Sequence, residues 1–263
     1  MADKVNKVRA DYNARYHSGP RRLSQIKYFV IHTAEAEAPK TGAENVGRYM
    51  ESQNARGSTH FGVDINSTQR YLPDSIVAWG APPLNISGLH VECLGHARYN
   101  RKKWLTDYAP MFERLGWLIA NRCRKYEIPM KLLTIDQLRR KGITPQVGGI
   151  TTHADINQVW DDSDHWDPGK NFPLDVVMAW VEFYAQGWLK AKVSKRILHI
   201  HNSGKRVKKL QADLQSAGYF DFEPDGVFDV GTERAVKRFQ KSVGLSATGV
   251  VDLSTWRALD SVL

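Results

Sequence analysis

The chain holds 263 residues, with a formal net charge of +9 and 42% hydrophobic content. That length accommodates one large domain or a medium domain joined to a small one, and no apolar run approaches the roughly 20 residues of a membrane-spanning helix. The positive balance asks for an anionic partner, whether nucleic acid, acidic membrane or a polyanionic polymer.

Met1 to Ser24 reads as a basic arm, docked or partly helical. It lacks the apolar core of a secretory leader, so no signal peptide and no membrane insertion are expected. Ile26 to Ile31 is rich in β-formers, and its last residues read as a buried strand that delivers His32 to the sheet rim, where sites usually sit. Thr41 to Asn54 reads as a helix, with Thr41 and Glu44 at the capping-box spacing. Ser58 to Ile65 alternates as a strand, turns at Asn66-Ser67-Thr68 and returns over Gln69 to Leu72. His60 on the first of these strands is either a buried structural residue or part of a pocket wall.

Ile76 to Trp79 is a short strand, and Gly80 to Asn85 a proline-bearing loop. Leu89 to Leu94 is the next strand, with Glu92 interrupting its apolar run. A carboxylate there is costly to ionise unless it is paired, so it marks a salt bridge or an acid–base group. His90, two residues earlier, shares its face. Pro110 to Tyr126 is an amphipathic helix with Met111, Leu115, Leu118 and Ile119 in register, followed by a short helix at Thr134 to Lys141. Cys93 and Cys123 are the only cysteines. They are too few for a disulfide framework and fit a reducing cytosol, with a single bridge between them left open.

Gly149 to Pro173 reads as a short strand end followed by a loop with the character of a metal site. It carries His153, His165 and Asp167. The last two are two residues apart, so both can face one point, and Pro168-Gly169 fixes the turn behind them. Histidine argues against calcium, whereas imidazole with carboxylate suits zinc. The remaining ligand must come from elsewhere in the chain. Leu174 to Trp188 is a helix that closes the first unit. A basic linker without acidic residues follows. Val207 to Leu263 then forms a small unit with helices at Val207 to Ala217, Thr232 to Val243 and Leu253 to Leu259. Its expected core is Leu210, Leu214, Val236, Phe239, Leu245, Val251, Trp256 and Leu259.

In the tail, Val207-Lys-Lys-Leu-Gln-Ala-Asp-Leu-Gln, Asp225-Gly-Val-Phe-Asp, Thr232-Glu-Arg-Ala-Val-Lys-Arg-Phe-Gln and Thr248-Gly-Val-Val-Asp resemble the three-helix peptidoglycan-binding domain of wall hydrolases. Further upstream stand Ile31-His32-Thr33, Thr59-His60-Phe61, Ala78-Trp79, Asn85, Val91-Glu92, His153-Ala154-Asp155 and Asp167-Pro168-Gly169. In order and spacing these blocks resemble the zinc-dependent N-acetylmuramoyl-L-alanine amidases of the type 2 and peptidoglycan-recognition fold.

The resemblance implies an α/β fold, a mixed central sheet flanked by helices, followed by the small all-α domain. The implied bounds are 1–188 for the catalytic unit, 189–204 for the linker and 205–263 for the wall-binding domain. It implies Zn²⁺ held by His32, His153 and Asp167, with His165 and Asp167 exchangeable as third ligand. Glu92 becomes the base and proton shuttle, and His165 the oxyanion donor. Trp79, His60, Asn85 and His90 fall at substrate-binding positions. Thr59 stands where some members have tyrosine, Gly80 where many have histidine, and His90 is a departure of this chain.

The implied activity is hydrolysis of the bond between N-acetylmuramic acid and L-alanine, in the manner of a phage endolysin that stays in the host cytoplasm until released to the wall. Rival readings are a zinc peptidase of the stem and a non-catalytic recognition protein. Peptidoglycan is the expected partner, and a monomer is expected. No nucleic-acid motif accompanies the charge, so no specific nucleic acid is expected.

Overall fold

A computed structural model of the chain describes residues 7–9, 12–37, 40–139, 148–161, 163–185 and 197–263. The chain divides into two compact units, Met1–Pro173 and Leu174–Leu263. Among the described residues no helix is long and apolar enough to cross a membrane.

The first unit is built on a five-stranded mixed sheet. Its strands are β2 (Tyr28–Thr33), β3 (Phe61–Val63), β4 (Thr68–Arg70), β6 (Gly88–Cys93) and β7 (Gly149–Thr152), in the order β4-β3-β6-β2-β7. β2 lies inside the sheet and runs parallel to its neighbours β6 and β7, while β4 returns antiparallel to β3. All six residues of β2 are buried, which is why its sequence shows an unbroken apolar run rather than alternation. Ile76 to Trp79 takes a different role from the sheet strands. Its β5 (Ile76–Ala78) pairs with β1 (His17–Pro20) in a separate two-stranded sheet. The described part of the N-terminal arm is therefore mostly strand and extended strap, ending in a 3-10 turn at Leu23–Gln25. Its Ala14 N–H donates to the Tyr71 carbonyl at 2.8 Å.

Helix α1 (Gly42–Glu51) is shorter than its sequence pattern, and the Thr41 side chain does not cap it. A competing carboxylate takes that place. Asp64 accepts from the Ala43 N–H at 3.1 Å and also from the Asn66 and Ser67 N–H groups of the hairpin turn. Glu44, freed from capping, accepts from Gln69 Nε2 at 2.7 Å. The pattern at Pro110 to Tyr126 becomes α3 (Ala109–Tyr126), preceded by α2 (Arg101–Asp107), which starts on an Asn100 cap. The short helix is α4 (Ile135–Arg139). Cys93 and Cys123 are free and buried.

The expected loop after β7 is instead a helix, α5 (His153–Trp160). Thr152 Oγ1 accepts from the Asp155 N–H and Asp155 Oδ2 from the Thr152 N–H, at 3.1 and 3.2 Å. This reciprocal cap starts the helix at His153.

The second unit opens with α6 (Leu174–Ala185), where the sequence pattern assigned that helix to the first. Much of the expected linker lies outside the described residues. Its end is ordered, since Leu198 exchanges backbone hydrogen bonds with Val251 and is buried. The tail helices are α7 (Lys205–Ser216), α8 (Val230–Ser242) and α9 (Leu253–Val262). Leu210, Leu214, Val236, Phe239, Val251, Trp256 and Leu259 form the core as expected, while Leu245 is only half-buried.

The recurrent glutamines have a physical role. Gln211 accepts from the Gly226 N–H and donates to the Val227 carbonyl. Gln240 accepts from the Gly249 N–H and donates to the Val250 carbonyl. Each buried amide thus satisfies a turn N–H, that of Gly226 or Gly249, that would otherwise be unpaired.

Candidate metal centre

The three parallel strands bring the site together at their carboxyl ends. In register, Ile31 faces Thr152, so the next residues, His32 and His153, emerge side by side, while His32 itself faces Glu92. Asp167 reaches the same point from the segment after α5. Its backbone carbonyl accepts from the Ala154 N–H at 2.8 Å and its Oδ2 from the Thr33 N–H at 3.2 Å. Gly169 holds the turn behind it with φ of +84°, and a Cβ there would lie 2.1 Å from the Ala97 carbonyl oxygen. Only glycine fits that close approach.

His32 Nδ1 lies 3.5 Å from Asp167 Oδ2 and 3.1 Å from His153 Nδ1, and His153 Nδ1 lies 3.1 Å from Asp167 Oδ1. One donor atom from each of the three falls within 4.8 Å of the others, and all three residues are buried. Burial pushes the His32 pKa down. Burial alone would raise Asp167, but hydrogen bonds from His153 and His32 outweigh it and hold that carboxyl well below its usual range. The donor set of two imidazoles and one ionised carboxylate, out of water and converging on one point, fits a zinc ion better than calcium or magnesium.

The trio opens into a cleft of about 350 Å³, also lined by Glu35, Tyr49, Arg56, Thr59, Trp79, Gly80, Glu92 and His165. Glu92 Oε2 is buried and has no hydrogen-bond partner among the described residues. Burial raises its pKa to about 8, with Asp167 and Glu35 adding repulsion. His165 sits at the rim. Its side chain is 59% exposed, and its Nδ1 is 3.5 Å from Asp167 Oδ1. Its ring stacks on His153 at 4.4 Å.

Of the four expected substrate contacts, the structure brings only Trp79 into the cleft. Its ring stacks on Tyr16 at 5.8 Å and its Nε1 donates to Ser18 Oγ at 2.6 Å. The other three do not line it. His60 and His90 are fully buried and offer no surface to a substrate. Burial, with Arg21 close by, pushes the His60 pKa down to about 3. Asn85 turns inward to accept from the Gly80 and Ala81 N–H groups, at 3.0 and 2.8 Å, so it shapes the wall behind Trp79. The strand patterns placed His60 and His90, and their depth below the cleft came from tertiary packing.

Glu35 and Arg56 are cleft residues that sequence reasoning missed. Glu35 has φ of +48°, and its Oε1 accepts from Thr33 Oγ1 and the Ala97 N–H. No pattern in its neighbourhood signals that backbone. Arg56 stands between α1 and β3, at a position the sequence pattern left unassigned.

Residues 22–170 match the family profile described as N-acetylmuramoyl-L-alanine amidase, and residues 203–259 match that of a putative peptidoglycan binding domain. The first match spans more than half of the chain, which therefore belongs to the N-acetylmuramoyl-L-alanine amidase family. Among solved structures, the Staphylococcus aureus hydrolase AmiA is 16% identical with a TM-score of 0.50, over 66% of this chain and 81% of its own. That likeness is one of fold. The N-acetylmuramoyl-L-alanine amidase LysC of Clostridium intestinale URNW is 16% identical with a TM-score of 0.43, over 67% of this chain and 97% of its own. A Kitasatospora aureofaciens protein, described as an uncharacterized protein in the bpoA1 3′ region, is 40% identical over 68 residues, 26% of this chain. The chain spans 58% of that relative's length.

Proposed function

We propose that the chain hydrolyses the amide between N-acetylmuramic acid and L-alanine in peptidoglycan, and that its tail domain holds it on the wall. The observation that carries this reading is the convergence of His32, His153 and Asp167 beside a half-buried Glu92, whose buried Oε2 has no partner among the described residues. His32, His153 and Asp167 would hold Zn²⁺, whose Lewis acidity activates a water and polarises a scissile carbonyl.

Glu92 takes the proton of the attacking water and passes it to the departing alanine nitrogen. A base of raised pKa suits this shuttle, because it must both accept and return a proton near neutral pH. His165, exposed at the rim, donates a hydrogen bond to the oxygen on which negative charge develops. Trp79, held by Tyr16 and Ser18, offers a flat wall to a sugar ring or peptide. An amidase unit joined to a peptidoglycan-binding unit fits a wall-lysing enzyme of the endolysin kind, which meets its substrate when released to the wall.

The test is digestion of purified walls by the full chain, with and without a chelator, and weighing of the products. Free lactyl ends on muramic acid, with stem peptides beginning at L-alanine, are expected. Intact muramyl-alanine with cut peptides would reassign the activity to a stem peptidase. Metal-independent loss of turbidity would remove the zinc reading.

A further inference from the structure

Beneath the trio lies a buried column of rings that the chemistry above does not use. His32 Nε2, the ring nitrogen turned away from Asp167, is 3.0 Å from His90 Nδ1. His90 sits two residues before Glu92 on the same strand face, one step below the site. The next ring, His60, lies nearly parallel to it at 5.9 Å and 11°. His60 Nδ1 accepts from the His90 backbone N–H at 3.1 Å, and His60 Nε2 is 3.0 Å from the Ile76 carbonyl oxygen. Arg21 closes the column, with Nη2 2.9 Å from His60 Nε2 and Nη1 donating to the Ile86 and Gly88 carbonyls.

The hydrogen-bond directions constrain the tautomers. A ring nitrogen that accepts from a backbone N–H carries no proton, so His60 Nδ1 is bare. His32 presents Nδ1 to His153 and Asp167. With a cation there, Nδ1 is bare and the His32 proton sits on Nε2. That proton needs an acceptor in an interior closed to water, and the atom facing it is His90 Nδ1. The His90 ring also has little room to leave. A Cβ at position 80 would lie 2.6 Å from His90 Nδ1, and one at position 88 would lie 2.8 Å from His90 Nε2. Gly80 and Gly88 thus leave the space that the ring fills. His90 Nε2 has no partner among the described residues, so the ring's only side-chain hydrogen bond is the one to His32.

We propose that His90 is a positioning residue of the metal centre. Its bare Nδ1 accepts the His32 Nε2 proton and so fixes the tautomer and ring angle with which His32 offers Nδ1 to the ion. The proposal rests on the reading of His32, His153 and Asp167 as the zinc site. Ligand histidines commonly give their second N–H to a carboxylate, carbonyl or water. Here a second imidazole, wedged between glycines and backed by His60 and Arg21, takes that role.

The experiment measures zinc affinity of the full chain by competition with a chromophoric chelator, for the parent, His32→Ala, His90→Leu and His90→Asn. Loss of about 10- to 100-fold in affinity is expected for His90→Leu. His90→Asn sets a carbonyl oxygen where Nδ1 stood and is expected to recover most of it. Equal affinity of His90→Leu and parent overturns the proposal, as does equal loss in both His90 variants, which is the mark of packing alone.

Should the leucine variant fail to fold, ¹⁵N spectra of histidine in the zinc-loaded parent decide. A protonated His32 Nε2 coupled through the hydrogen bond to His90 Nδ1 supports the proposal, and an unprotonated His32 Nε2 overturns it. Failure of the zinc reading looks different: the parent then binds no more zinc than His32→Ala.

Discussion

The Glu92 carboxylate, whose buried Oε2 has no hydrogen-bond partner among the described residues, gives the sharpest prediction. In the metal-free protein its pKa stands near 8 instead of the ordinary 4.5, because burial, Asp167 and Glu35 all disfavour its charge. A group whose pKa is raised on folding leaves stability intact below its unfolded value. It erodes that stability as pH rises, until the folded value is passed. Between 4.5 and pH 7 the erosion is about 1.4 kcal/mol per pH unit, or roughly 3 kcal/mol at neutrality.

Glu92→Gln keeps the shape and the polar atoms but cannot ionise in either state. The metal-free variant is therefore expected to match the parent near pH 4 and to exceed it increasingly toward pH 8. At neutral pH the gain corresponds to roughly 6–12 °C in the melting temperature of a unit of this size. Calorimetry of the full chain under chelator, from pH 4 to 8, reads it on the transition of the amidase unit. Its activity should meanwhile fall about 10²- to 10⁴-fold with zinc retained. A pH-independent difference in melting temperature would refute the electrostatic account of Glu92, and full activity on purified wall would refute its role as base.

The other predictions concern the ligands, the helix that carries one of them, and the tail. His32→Ala, His153→Ala and Asp167→Ala should each lose both zinc, read by metal analysis, and wall hydrolysis. Thr152→Val removes the hydroxyl that caps α5 and should cost about 1 kcal/mol in denaturant unfolding. Because the helix begins on His153, zinc affinity should fall as well. Gln211→Leu leaves the buried Gly226 N–H without its acceptor. It should cost the tail unit about 1–3 kcal/mol while sparing zinc binding.

Much of this centre was legible because its constraints are local. An unbroken β-run ending in His32, a carboxylate inside the apolar run Leu89 to Leu94, and the pair Asp167-Pro168 each announce themselves within a few residues. Their meeting, with Thr33 and Asp167 bonded across 134 positions of sequence separation, follows once β2, β6 and β7 are parallel neighbours. The α5 helix was missed although its signal was present. Thr152 and Asp155 stand at the capping spacing, but the crowd of aspartates after them reads as loop. The cap at Thr41 failed for the opposite reason. Asp64, distant in sequence, outcompeted it for the Ala43 N–H, and no local pattern reports such a rival. His60 and His90 show the limit of periodicity, which assigns a face but not a depth on that face.

The N-terminal arm extends the same argument beyond the residues matched to the amidase family, which begin at position 22. Tyr16 and Ser18 hold the indole of Trp79 in the cleft wall, and Arg21 braces His60 beneath His90. Arg21 also donates to the Asp74 carbonyl at 3.0 Å, so one side chain joins the arm to the floor of the site and to the loop before β5. Composition marked this stretch only as basic. Its placement makes it part of the catalytic unit, since its removal would leave the Trp79 indole without its hydrogen-bond acceptor and the histidine column without its base.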